Sequence, residues 1–136
     1  MDAVRIISAN RAALARCGDG TQVVAEAWQA QALAQAVGGL LARCGPPEAR
    51  AAAGALHATG VRPAGLAEAR AARLTAVRDP RRTLCELAEL LDELAATLTE
   101  VAAQTEEEAL YWHCLEALDA TGDTTTSTTA LLASLP

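Results

Sequence analysis

In the stretch DPRRTLCELAELLDELAATLTEVAAQ, residues 79–104, the large apolar side chains Leu84, Leu87, Leu91, Leu94, Leu98 and Val101 are spaced 3, 4, 3, 4 and 3 apart. On a helix of 3.6 residues per turn that alternation gathers them into one stripe nearly three heptads long. The ends are marked as well. Asp79 is a natural N-cap and Pro80 suits the first helical position, where its missing N–H costs nothing. Leu90 lies just off the stripe and widens it toward a second neighbour. An intramolecular bundle seam is the favoured reading of the stripe, and a coiled coil between two copies is the alternative.

The rest of the chain reads as helix on the same grounds. Ala, Leu, Arg, Glu and Gln dominate and strand formers are few. The first helix is expected over residues 2–17, with Val4, Ile7 and Leu14 on one face, and Gly18, Asp19 and Gly20 end it. Residues 21–44 form a second helix, apolar nearly all round and therefore central, with Gly38 and Gly39 permitting a kink or a close contact. Gly45, Pro46 and Pro47 stop it. A third, Ala-rich helix spans residues 47–59, soft at Gly54; residues 60–65 break the pattern at Pro63, and a fourth helix covers residues 66–78. After the 79–104 helix, Thr105 and Glu108 have the form of a capping box opening a sixth, which Gly122 closes. Residues 123–129 are almost all Thr and Ser and read as a mobile link before a short apolar end at 130–136. The expectation is an all-α bundle of five to six helices, mostly antiparallel. The second, fifth and sixth form its central layer, with one domain over residues 1–122 and a tail over 123–136.

A chain of 136 residues makes one domain. Its apolar content of 51% overstates the core, because about a quarter of the residues are Ala; only 32 large apolar residues remain. Ala buries little area, at roughly 25 cal/mol per Å². Either the helices approach closely or burial is completed by a second copy, and a homodimer is expected. The net charge of −6 conceals segregation: residues 1–42 are balanced, residues 43–82 carry eight Arg against three acids, and residues 83–136 carry eleven acids and no Arg. There is no Lys, so every cation is a guanidinium suited to carboxylate or phosphate. The simplest reading is that the Arg-rich middle docks on the acidic C-terminal half. Cys17, Cys44, Cys85 and Cys114 form no Cys-x-x-Cys pair, and Arg5, Asn10 and Arg11 interrupt any leader-like run. Buried free thiols in a cytoplasmic protein are expected, with no membrane span.

Two surfaces are candidates for function. Tyr111 and Trp112 are two of only three aromatic residues. At 100° per residue Tyr111 falls within the apolar arc and is expected in the core. Trp112 lies beyond its edge, with Glu108, Glu116 and Asp119 one or two turns away, a setting that favours a cation over the indole. These four residues are the candidate partner-binding site, for a protein not identifiable from the sequence. The second surface is Arg78, Arg81 and Arg82 at the start of the 79–104 helix, a candidate anion-binding patch; ordinary ion pairing of the same residues is the plainer reading. Nucleic acid is disfavoured by the acidic total and the scarcity of rings. Catalysis finds no support. His57 and His113 lack the Glu-x-x-His spacing of a bundle metal site, and no P-loop, dinucleotide or nucleophile-elbow motif occurs. No metal, cofactor or enzymatic activity is expected. The function expected is that of a self-associating interaction module, a regulator or adaptor; the alternative is a binder of an anionic ligand or nucleic acid through the Arg cluster.

Four stretches carry a resemblance: EAWQAQALAQAVGG at 26–39, GPPE at 45–48, LTAVRDPRRTL at 74–84 and EEEALYWHCLEALDA at 106–120. Together they resemble a small, uncharacterised actinobacterial family known chiefly from streptomycetes. The resemblance implies a cytoplasmic bacterial protein and assigns no activity, cofactor or site residue.

Overall fold

A computed structural model describes residues 1–59 and 69–136. Among these residues the chain forms five α-helices: α1 (Ala3–Ala15), α2 (Gly20–Cys44), α3 (Arg50–His57), α4 (Pro80–Gln104) and α5 (Glu108–Ser134). Two 3₁₀ turns, Pro47–Ala49 and Arg70–Arg73, precede α3 and α4. The bundle is all-α, and α2, α4 and α5 pack on one another as its middle. α1 lies against α2 and α4, and α3 lies against α2 and α5.

Local chemistry sets the helix ends. The carboxylates of Asp2, Asp19 and Asp79 accept hydrogen bonds from the backbone N–H groups of Val4, Gln22 and Arg82, capping α1, α2 and α4. α5 opens later than the capping-box pattern suggests. Thr105 stands in the loop, its Oγ1 accepting from the Glu107 N–H at 3.1 Å, and Glu107 is the N-cap.

The stripe of α4 is intramolecular. Leu84, Leu87, Leu90, Leu91, Leu94 and Leu98 are all buried within a single chain, which leaves no such seam for a coiled coil between copies. α2 is buried on most of its circumference, Trp28 included. Close helix approach compensates for the scarcity of large side chains. A Cβ added at Gly38 would lie 2.6 Å from the His57 backbone nitrogen and 2.8 Å from the Ala53 carbonyl oxygen. Only the missing side chain lets α3 sit directly on α2, where His57 Nδ1 lies 2.9 Å from the Gln35 carbonyl.

Three expectations about elements are corrected. Residues 69–78 are not helical: after the Arg70–Arg73 turn the backbone is extended, and Ala76 bridges to Asp2. Arg70 explains the turn. Its guanidinium donates to Glu26 (2.5 and 2.9 Å) and to Asn10 Oδ1 (2.8 Å), and its backbone N–H donates to Gln29 Oε1 (2.9 Å), so the segment is pinned across α1 and α2. The expected break at 60–65 and the start of that helix at 66–68 lie outside the described residues. Nor does α5 stop at Gly122; it continues through the hydroxyl-rich run to Ser134. Thr121, Thr124 and Thr128 face inward with Leu131, and Thr124 Oγ1 reaches Gln31 Oε1 of α2 at 2.6 Å. The hydroxyls of Thr121, Thr124 and Thr126 bond carbonyls four residues back. A Thr that satisfies its own hydroxyl on the helix can serve as a small core residue. The segment read as a tail is therefore packed helix. Finally, burial of the thiols is uneven: Cys114 is buried, Cys17 is half-buried, and Cys44 and Cys85 are exposed.

Candidate functional site

The first turn of α5 is where inward and outward positions part. The core-facing residues of α5 run Cys114, Ala117, Thr121, Thr124, Thr128 and Leu131. One turn before Cys114, the inward position is taken by Leu110, not Tyr111. Leu110 packs over Gly20, where a Cβ would come within 2.8 Å of Leu110 Cδ2 and 2.6 Å of Val101 Cγ1. With that place filled, Tyr111 turns outward and is 39% exposed, contrary to its expected place in the core. Trp112 is 57% exposed. The two rings stand edge to face, centroids 5.3 Å apart, a favoured aromatic geometry.

Acids surround this pair. Glu106, Glu107, Glu108, Glu116 and Asp119 are all exposed, and no ion pair engages any of them among the described residues. Trp112, Leu115, Glu116, Leu118 and Asp119 line a shallow open depression on the outer side of α5. An exposed indole flanked by unneutralised carboxylates is suited to a guanidinium or ammonium group. All four residues proposed for partner binding, Trp112, Glu108, Glu116 and Asp119, thus share one end of one helix.

The Arg78, Arg81 and Arg82 group sits at the opposite end of the bundle, where α4 begins and α5 finishes. Its charges are partly engaged. Arg82 Nε pairs with Glu86 at 3.2 Å, one turn along, and Arg81 Nη2 donates to the Pro136 carbonyl at 3.3 Å. The Arg78 backbone N–H donates to Asp2 Oδ1 at 3.1 Å, while its guanidinium has no partner among the described residues. At the head of α4 the Asp79 carboxylate already holds the Arg82 N–H at 3.1 Å, where an anion would need to bind. That geometry weakens the anion-site reading.

α3 of the Arg-rich middle packs on α5 of the acidic half, yet among the described residues no ion pair between elements joins residues 43–82 to residues 83–136. Among the described residues, the ion pairs that cross between elements are Arg70 with Glu26 of α2, and Arg11 of α1 with Glu89 and Glu93 of α4. Hydrogen bonding to Glu93 holds the Arg11 guanidinium even more basic than usual, and Glu26 does the same for Arg70. Sequence reasoning missed both clamps. Arg11 and Arg70 are unremarkable Arg residues until α1, α2, α4 and the 70–73 turn meet. Among the described residues no three His, Cys, Asp or Glu side chains gather as a metal site, and no helix is long and apolar enough to cross a membrane.

Fold and surface together define a five-helix bundle with its aromatic pair displayed on an acidic rim. The chain belongs to the family of unknown function DUF6099, whose family model matches residues 1–134. The match runs through the Thr-rich segment to the end of α5. The chain matches no curated protein and no solved structure.

Proposed function

We propose that this chain is a non-enzymatic protein–protein interaction module, a cytoplasmic regulator or adaptor of actinobacterial origin that self-associates. One observation carries the reading: Tyr111 and Trp112, two of the three rings in the chain, stand exposed and edge to face among unpaired acids while the core closes without them. An exposed Trp of this kind is a common energetic anchor in protein interfaces, and the surrounding carboxylates select a partner bearing Arg or Lys.

The test is a photo-crosslinking residue at Asp119, in cells expressing the chain, with and without Trp112→Ala. The expected result is a discrete protein adduct that disappears in the Trp112→Ala background, while purified Trp112→Ala protein keeps a cooperative melt. Absence of any adduct, or an adduct indifferent to Trp112, overturns the reading. Loss of folding in Trp112→Ala would show the indole to be structural and overturn it equally.

A further inference from the structure

The acidic rim and the basic corner lie at opposite ends of the same helix. Trp112 stands at the start of the second turn of α5; Arg81, by its bond to the Pro136 carbonyl, marks the other end. At 1.5 Å per residue they stand about 35 Å apart. Between them runs an exposed line. Trp112, Glu116, Asp119, Thr126, Ala130 and Ala133 follow one another at heptad-like spacings of 4, 3, 7, 4 and 3, and all are exposed. Among the described residues no other element covers this line, and it changes from acidic and aromatic at its start to small and uncharged at its finish, where the Arg corner adjoins it.

We propose that the occupant of this face is a second copy of the chain, laid antiparallel along α5, so that Arg81 and Arg82 of each copy meet Trp112, Glu116 and Asp119 of the other. The proposal rests on the interaction reading above and names its partner. A two-fold axis makes both contacts at once, because a self-complementary patch must present each half of the pair to the other. Setting Trp112 level with the partner's end at position 136 places the axis near position 124. The exposed residues at that level are Gly122, Asp123 and Thr126. Gly122 is independent support. It sits inside a long helix, where Gly costs about 1 kcal/mol relative to Ala, yet a Cβ there would meet nothing within 4 Å in its own chain. Nothing among the described residues requires a glycine there, whereas two helices crossing at that level would approach most closely at it. A helix face about 35 Å long and about 12 Å wide covers about 400 Å² per copy, at the small end for interfaces, so the pair is reversible and salt-sensitive.

The experiment is sedimentation equilibrium on the purified full chain, on Arg81→Glu/Arg82→Glu, on Glu116→Arg/Asp119→Arg, and on an equimolar mixture of the two variants. Neither variant threatens the fold: acids at the start of α4 suit the helix dipole, and Glu116 and Asp119 are exposed. The expected result is a dimer for the natural chain that weakens at least tenfold between about 50 and about 500 mM salt. Each variant alone should be monomeric, and the mixture should recover a one-to-one dimer. A natural chain that stays monomeric at high concentration and low salt, or variants that dimerise undiminished, overturns the proposal. A monomeric chain that still forms the Trp112-dependent adduct to a different protein overturns the second copy and leaves the interaction reading standing; no dimer and no adduct removes both.

Discussion

At the scale of single residues, position relative to the core separates chemically identical side chains. Trp28 is buried in α2 and Trp112 stands in solvent. The thiols divide likewise. Burial raises the Cys114 pKa, and burial together with the carboxylates of Glu26 and Asp19 raises that of Cys17. In the unfolded chain both ionise near the ordinary thiol value of about 8.5, so above it the unfolded state releases protons that the folded state keeps. The contribution of these thiols to stability is whole below that pH and declines as pH rises through their folded values. The urea midpoint should therefore fall between about pH 7.5 and about pH 9.5, and fall less in Cys17→Ser/Cys114→Ala. An equal decline in that variant would assign the pH response to other groups. Tyr111 shows how a residue can be misread from periodicity alone: it and Leu110 are both within reach of the inward stripe, and only the gap over Gly20 selects Leu110.

At the scale of elements, sequence and structure agree most closely where the signals are covalent and local. Asp79 followed by Pro80 starts α4, and the Leu stripe carries it to Gln104, as expected from the spacing. α2 is likewise legible between Asp19 and the Gly45, Pro46 and Pro47 stop. Residues 69–78 were not legible, because the ion pair of Arg70 with Glu26 joins segments more than forty positions apart. The contact of α2 with α3 depends on the absent side chain at Gly38. Gly38→Ala should cost about 1–3 kcal/mol, since the Cβ meets backbone atoms that cannot rotate away. Gly54→Ala, in open space on α3, should gain up to about 1 kcal/mol from helix propensity. Denaturant midpoints of the two variants moving in the same direction would contradict this account of the packing.

At the scale of the molecule, the last turns of α5 close the bundle. Removing residues 123–136 takes Thr124, Thr128 and Leu131 out of the core and opens the face of α2 that Gln31 presents to Thr124. Loss of one buried Leu alone typically costs about 2–5 kcal/mol against a total stability of about 5–15 kcal/mol. The truncated chain should lose about 10 °C or more of thermal midpoint, or its cooperative transition altogether. A truncated chain that melts like the whole would show residues 123–136 to be the dispensable tail that their composition suggests.

The sequence by itself determined the all-helical class, the limits of α2 and α4, the Asp79 cap and the stripe that α4 buries. These follow from interactions within a few residues, whose energies do not depend on what lies across the fold. Tertiary structure alone decided the course of residues 69–78, the outward turn of Tyr111, the unequal exposure of the thiols and the continuation of α5 through its Thr run. Thr is a poor helix former in isolation. It stays helical here because the hydroxyls of Thr121, Thr124 and Thr126 bond the preceding turn, and because Thr121, Thr124 and Thr128 are buried in the fold, where Thr124 also reaches Gln31 of α2. That balance depends on a neighbour about ninety residues away in the chain, and no local pattern records it.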